Sequence, residues 1–410
     1  MELLNVDTVE EARKKLLEAA EKKRPDEEEV YFTRGTGRIL ARDTVAEENV
    51  PGFRKSTVDG YAVRAADTQG VSESVPVFLR VIEEIPMGRA PEKTISPGEA
   101  AYVPTGGMLP QGADAVVMIE YTEKFDEESI AVYDALSCGR NVIREGEDIK
   151  RGEAFIEKGR RIRPQETGAL ASAGVSRISV FRPWTVTVIS TGDELAGVED
   201  AIEKGRTRDI NTYSLSAAAE GYGFKVADAL VLKDDRDSIK KAISEAMTSS
   251  DVVLVSGGSS QGEKDYTADI MDELSHGGLL THGIAIKPGK PTILAFDRES
   301  ETILAGLPGH PAAALLIFEL FIGWLYRELT FQKEPEKIKA EISENVPSAG
   351  GKATCIFVEL VRREGRSCEA RPILGKSGLI TLLTKADGYT VTDANSEGVN
   401  EGDTVEVTLF

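Results

Sequence analysis

With 410 residues, 41% of them hydrophobic, the chain holds enough apolar material for about two to four domains with sizeable cores. Its 49 Lys and Arg against 69 Asp and Glu leave a formal charge of −20, which makes nucleic acid and an anionic membrane poor partners, since both need a basic surface. The three cysteines, Cys138, Cys355 and Cys368, lack CxxC spacing, which excludes a disulfide framework and a cysteine zinc site.

The N-terminus is acidic and has no apolar h-region, so no signal peptide is read. The most apolar stretch, residues 311–326, is too short for a span and carries Glu319; it reads as a buried helix in a cytoplasmic protein. Residues 7–23 read as a helix, with Thr8 and Glu11 in a capping box and Val9, Ala12, Leu16 and Ala20 on one apolar face. A connector follows to Pro51-Gly52. Residues 51–145 turn β-rich, with strands at 77–81, 99–103, 115–118 and 130–133 between Gly/Pro turns. This predicts a β domain inserted in a helical linking domain made of residues 1–50 and 146–182. In the latter, Pro164 opens a helix that Gly174 closes.

From residue 183 to residue 329 strand and helix alternate. Strands at 185–190, 227–232, 251–255, 284–286 and 302–305, with helices at 211–219 (ended by Gly221) and 237–247, predict a three-layer α/β domain with a mostly parallel sheet. Residues 330–410 lose the helical pattern and predict a small C-terminal β domain, barrel-like.

Chemistry concentrates at 251–311. The strand at 251–255 ends in Ser256-Gly257-Gly258-Ser259-Ser260, and Asp265 opens the next helix. The strand at 284–286 ends in Lys287-Pro288-Gly289-Lys290-Pro291, and that at 302–305 in Gly306-Leu307-Pro308-Gly309-His310-Pro311. Strands that end one after another in glycine loops form one side of a site for a phosphorylated or oxyanionic ligand, because ligands of open parallel sheets lie beyond the carboxyl ends of the strands. Glu194 and Asp265 follow two strands, and Asp234 or Asp235 follows another. Carboxylates at neighbouring strand ends suit Mg²⁺ shared with phosphates, and two nearby lysines suit an anion.

The motifs SxxDGYA, PTGGxLPxGADAVVMIE, GEDI, STGDEL, SGGxSxGxxDY, AIKPGKP, GLPGxP and SGLI…ADGY occur here in one order. In that order the chain resembles the MoeA-type molybdopterin molybdenumtransferases, which are related to the E domains of gephyrin and of the plant Cnx proteins. The resemblance covers about residue 35 to residue 410. It implies Mg²⁺-dependent insertion of molybdate or tungstate into adenylylated molybdopterin with release of AMP. It also implies a homodimer, an α/β domain similar to MogA and MoaB proteins, and a MogA/MoaB-type adenylyltransferase upstream.

By the resemblance, Asp59 and Thr105 face the cleft from the partner subunit, and Glu194 and Asp265 hold nucleotide and Mg²⁺. Asp234 is a further acidic position, with Asp235 as its alternative. Ser256, Gly257, Gly258, Ser260 and Gly262 form the pterin-phosphate loop. Lys287, Lys290 and Pro291 belong to the oxyanion motif, Ser377 stands near the oxyanion, and Asp148 is the GED acid. Some positions depart from the family pattern: Arg144 sits one residue late, His310 replaces an asparagine, and Val58 replaces a methionine. Two other classes compete, a binding scaffold like the gephyrin E domain and a pterin carrier or CinA-like hydrolase built on the α/β module alone. The β-rich segments flanking that module argue against the last.

Overall fold

The computed structural model describes residues 6–257, 266–348, 350–362 and 368–410. Helix α1 (Val9–Ala20) begins with the reciprocal cap between Thr8 and Glu11. Its buried face, Val9, Ala12, Leu16 and Ala20, packs into the core of the α/β domain. Asp7 ties the same end of the helix to residues 283–285 through backbone hydrogen bonds. Residues 27–31 and 177–181 then pair as an antiparallel ladder. Helix α2 (Pro164–Ser172) follows the inserted domain, and Gly174, at φ +70°, ends it.

The inserted domain is a six-stranded sheet in the order Ala115–Met118, Gly60–Val63, Glu99–Val103, Val77–Glu84, Ser129–Val132, Thr122–Lys124. Alternate residues of its strands feed two separate cores, one with Tyr61, Val63, Ala115 and Val117, the other with Ala62, Ala101, Val103 and Val116. Gly60 is required there: a Cβ would lie 1.9 Å from the carbonyl oxygen of Val117 on the neighbouring strand.

The α/β domain has a six-stranded sheet in the order Lys225–Leu232, Thr185–Thr191, Val252–Ser256, Thr302–Leu307, Ile293–Asp297, Leu279–His282. The first four strands are parallel, and the last two join antiparallel. Helices α3 (Asn211–Gly221), α4 (Arg236–Met247), α5 (Tyr266–Leu274) and α6 (Pro311–Ile317) cover its faces. The central strand Val252–Ser256 is buried throughout, and its side chains alternate between two layers. Val252 and Leu254 share a core with residues of α1, α3 and α6, and Val253 and Val255 share another with α4 and α5. Helix α3 runs through Gly221 instead of ending before it, and Gly223, at φ +86°, makes the turn.

The C-terminal strands Lys337–Ile342, Cys368–Pro372, Ala353–Val361, Gly388–Thr392 and Thr404–Leu409 pair in that order, and the last returns to the first. They therefore close a five-stranded barrel around Ala340, Ile342, Ile356, Val358, Val405 and Val407. One expectation fails here. Residues 284–286 do not form a strand of the α/β sheet; Ile286–Lys287 pairs parallel with Ala353 and Thr354 of the barrel. Ile284 and Ile286 are fully buried, but in the core they share with α1 and not within the sheet. The sheet positions beyond Thr302–Leu307 are taken by Ile293–Asp297 and Leu279–His282, which the sequence pattern leaves unassigned. Among the described residues no helix is long and apolar enough to cross a membrane.

Candidate active site

The carboxyl ends of the parallel strands open into a cleft of about 540 Å³. Two neighbouring strands set its floor: Ser256 ends one, Leu307 ends the other, and the two residues are in register. Gly257 continues the first strand at φ +101°, where a Cβ would meet the carbonyl oxygen of Thr191 at 2.2 Å. Only glycine lets the chain pass that close to the adjacent strand end. Pro308, Gly309 and His310 form the second turn, and Pro311 opens α6.

Glu194 and Asp234 both line the cleft. Glu194 sits in the turn after Thr185–Thr191, and Asp234 follows Lys225–Leu232. Local geometry places the two adjacent acids differently. Asp235 caps α4, its Oδ2 accepting from the hydroxyl (2.5 Å) and the backbone N (3.0 Å) of Ser238. Those bonds hold its carboxyl below the ordinary range. Asp234 is the acid at the cleft.

Of the other residues read from the sequence, Ser256, Gly257 and Pro291 line the same cleft. Ser377 stands beside it. Its hydroxyl lies 2.8 Å from His310 Nδ1 and its carbonyl accepts from Ala312 N, so a loop of the C-terminal domain closes onto the start of α6. Pro291 brings the lysine motif to the cleft edge, whereas Lys287 is exposed and neither Lys287 nor Lys290 lines it. Asp59 and Thr105 meet each other, Asp59 Oδ1 accepting from Thr105 N (2.7 Å) and Oγ1 (3.1 Å). They do so in the inserted domain and not in this cleft, and exposed Asp148 is likewise outside it. Gly258, Ser260, Gly262 and Asp265 lie outside the described residues.

Three lining residues went unread in the sequence. Thr191 Oγ1, Asp209 Oδ2 and Asn211 Oδ1 are buried without a hydrogen-bond partner among the described residues. Buried polar atoms are seldom left so, and oxygens of this kind call for a donor or a cation. The run Arg208-Asp209-Ile210-Asn211 before a helix was the available signal. It also reads as an ordinary helix start, which in part it is, since Asp209 Oδ1 accepts from Thr212 N. No cluster of three or more acidic, His or Cys side chains able to enclose a metal occurs among the described residues. Two carboxylates edging a cleft fit Mg²⁺ shared with ligand phosphates, because that ion uses one or two protein carboxylates and fills its other positions with phosphate and water.

Three family descriptions match the chain in order. They are the MoeA N-terminal region (domain I and II) over residues 7–174, the "probable molybdopterin binding domain" over 187–327, and the MoeA C-terminal region (domain IV) over 339–410. A molybdopterin molybdenumtransferase of Bacillus subtilis is 32% identical over 378 residues, covering 91% of this chain and 87% of the relative. A solved molybdopterin biosynthesis moeA protein from Pyrococcus horikoshii OT3 superposes with a TM-score of 0.82 at 30% identity, covering 99% of this chain and 100% of that one. Another structure of that kind from the same species gives 0.79 at 36% identity, with 99% of each chain covered. Fold, cleft and matches together define an enzyme of molybdenum cofactor biosynthesis that acts by molybdenum transfer. The chain belongs to the MoeA family, the molybdopterin molybdenumtransferases.

Proposed function

We propose that the enzyme takes adenylylated molybdopterin in the Glu194–Asp234 cleft and inserts molybdate or tungstate into its dithiolene as AMP is released. The observation that carries this reading is the convergence of two strand-end turns, Ser256–Gly257 and Pro308–Gly309, on a cleft edged by Glu194 and Asp234. Turns of this kind offer backbone N–H groups to an anionic ligand. Mg²⁺, when bound, neutralises phosphoanhydride oxygens, and Glu194, Asp234 and the motif residue Asp265 would hold it. By motif position, Gly258, Ser260 and Gly262, the next motif residues after Gly257, would serve the same phosphate. Lys287 and Lys290 attract the oxyanion toward the edge marked by Pro291, and Ser377, oriented by His310, donates to it. No nucleophilic side chain is needed, because the chain's part is to hold metal oxyanion, dithiolene and phosphoanhydride together.

Asp59 and Thr105 enter this reading through assembly. The enzyme is a homodimer in which the cleft of one subunit is completed by Asp59 and Thr105 of the partner subunit, with Asp148 just beyond the end of the inserted segment. The working division of the chain is residues 1–50 with 146–182, then 51–145, 183–329 and 330–410. A MogA/MoaB-type adenylyltransferase supplies the substrate. The direct test is AMP release from adenylylated molybdopterin with Mg²⁺, run in parallel with molybdate and with tungstate. Release stimulated by one oxyanion, with metal-loaded pterin formed, is the expected result and names the metal. Tight pterin binding with no AMP release under either condition would overturn the reading in favour of a carrier or scaffold.

A further inference from the structure

Asn211, the first residue of α3, is 7% exposed and lies at the cleft floor. Its Nδ2 donates to Ser256 Oγ at 2.6 Å and to the carbonyl of Gly309 at 2.9 Å. The Ser256 hydroxyl, itself buried, donates in turn to the carbonyl of Pro308 at 3.4 Å. One amide group thus joins the ends of two adjacent parallel strands, the same two turns that the transfer reaction would use to seat its phosphoanhydride. The other end of that amide, Oδ1, is buried and has no partner among the described residues. A side chain serving packing alone would satisfy both ends; this one commits its donors to two turns that line the cleft and leaves its buried acceptor without a partner among the described residues.

We propose that Asn211 is a positioning residue for the transfer reaction, fixing the spacing between the Ser256–Gly257 and Pro308–Gly309 turns and so the seat of the ligand's phosphoanhydride. The proposal rests on the reading of the cleft given above, and it explains why the Ser256 hydroxyl is committed internally, so that any contribution of Ser256 to the ligand comes from its backbone.

Two variants separate donor from acceptor. Asn211→Ala removes both. Asn211→Asp keeps size and an acceptor oxygen but replaces the donors with a carboxylate facing the Gly309 carbonyl. Both are expected to raise KM for adenylylated molybdopterin about tenfold, whereas partial loss of folded enzyme lowers kcat and leaves KM unmoved. Amide hydrogen exchange at residues 256, 257, 306, 307 and 309, measured without ligand, should quicken in both variants while exchange in the C-terminal barrel is unchanged. Parental KM and parental exchange in Asn211→Asp would overturn the proposal. If the parent enzyme releases no AMP, the reading of the cleft fails, and the exchange measurement still decides whether Asn211 holds the two turns together.

Discussion

Glu166 lies in the first turn of α2 and is buried. Its carboxylate accepts from Arg163 Nη2 (2.7 Å), from Arg163 Nε and backbone N (3.0 Å each), and from Arg160 Nε (3.0 Å). The Arg163 side-chain bonds lead in lowering its pKa from the ordinary 4.5 to about 2. A depressed carboxylate pKa favours the folded state above the unfolded value, and that contribution drains away as pH falls from 4.5 toward about 2. Glu166→Gln should therefore cost about 2 kcal/mol at neutral pH, and its deficit against the parent in urea melts should shrink steadily as the pH is lowered through that window. A deficit that stays constant with pH would mean that packing, and not charge, is what Glu166 contributes. At this scale the sequence was legible where a motif acid follows directly on a strand end, as at Glu194, which lines the cleft. It was not legible where one residue type serves two purposes. Asp234 and Asp235 are told apart only by the Ser238 cap, and Asn211 looks like any helix start until its contacts with Ser256 and Gly309 are known.

Elements were legible in proportion to how far local pattern decides them. The capped helix α1, the buried strand Val252–Ser256 and the strand Glu99–Val103 form where the periodicity places them, because each carries its own caps, turns or continuous apolar run. Residues 284–286 carry an equally apolar run, but partners distant in sequence decide its fate: Asp7 on one side and Ala353 on the other. The turn after Val252–Ser256 gives a sharp test. Alanine at Gly257 would need φ +101° and would place its Cβ 2.2 Å from the Thr191 carbonyl oxygen. That carbonyl belongs to a central strand and cannot yield, so Gly257→Ala should displace the turn and cut AMP release more than about tenfold. Near-parental turnover in this variant would show that the turn has no part in holding the ligand.

At the scale of the molecule, the two sets of motif residues occupy different domains of one chain. Glu194 and Asp234 edge the cleft, while Asp59 and Thr105 bond to each other elsewhere. A homodimer with shared sites makes a quantitative prediction. Asp59→Ala and Glu194→Gln, each inactive alone, should recover about a quarter of parental activity when mixed and allowed to exchange subunits, since about half of the dimers are mixed and each has one intact site of two. No recovery after verified exchange would place both residues in one subunit's site. The chain order suggests a barrel that follows the α/β domain as a separate passenger, yet Ile286 and Lys287 are stitched into the barrel's edge and the chain then returns to the sheet at Ile293. For anyone cutting the gene, the seam drawn by sequence is therefore not a seam in space: a fragment ending before Lys337 removes the strand partners Ala353 and Thr354 from Ile286 and Lys287 and takes Ser377 from His310. A smallest working version of this enzyme must keep both ends of that stitch.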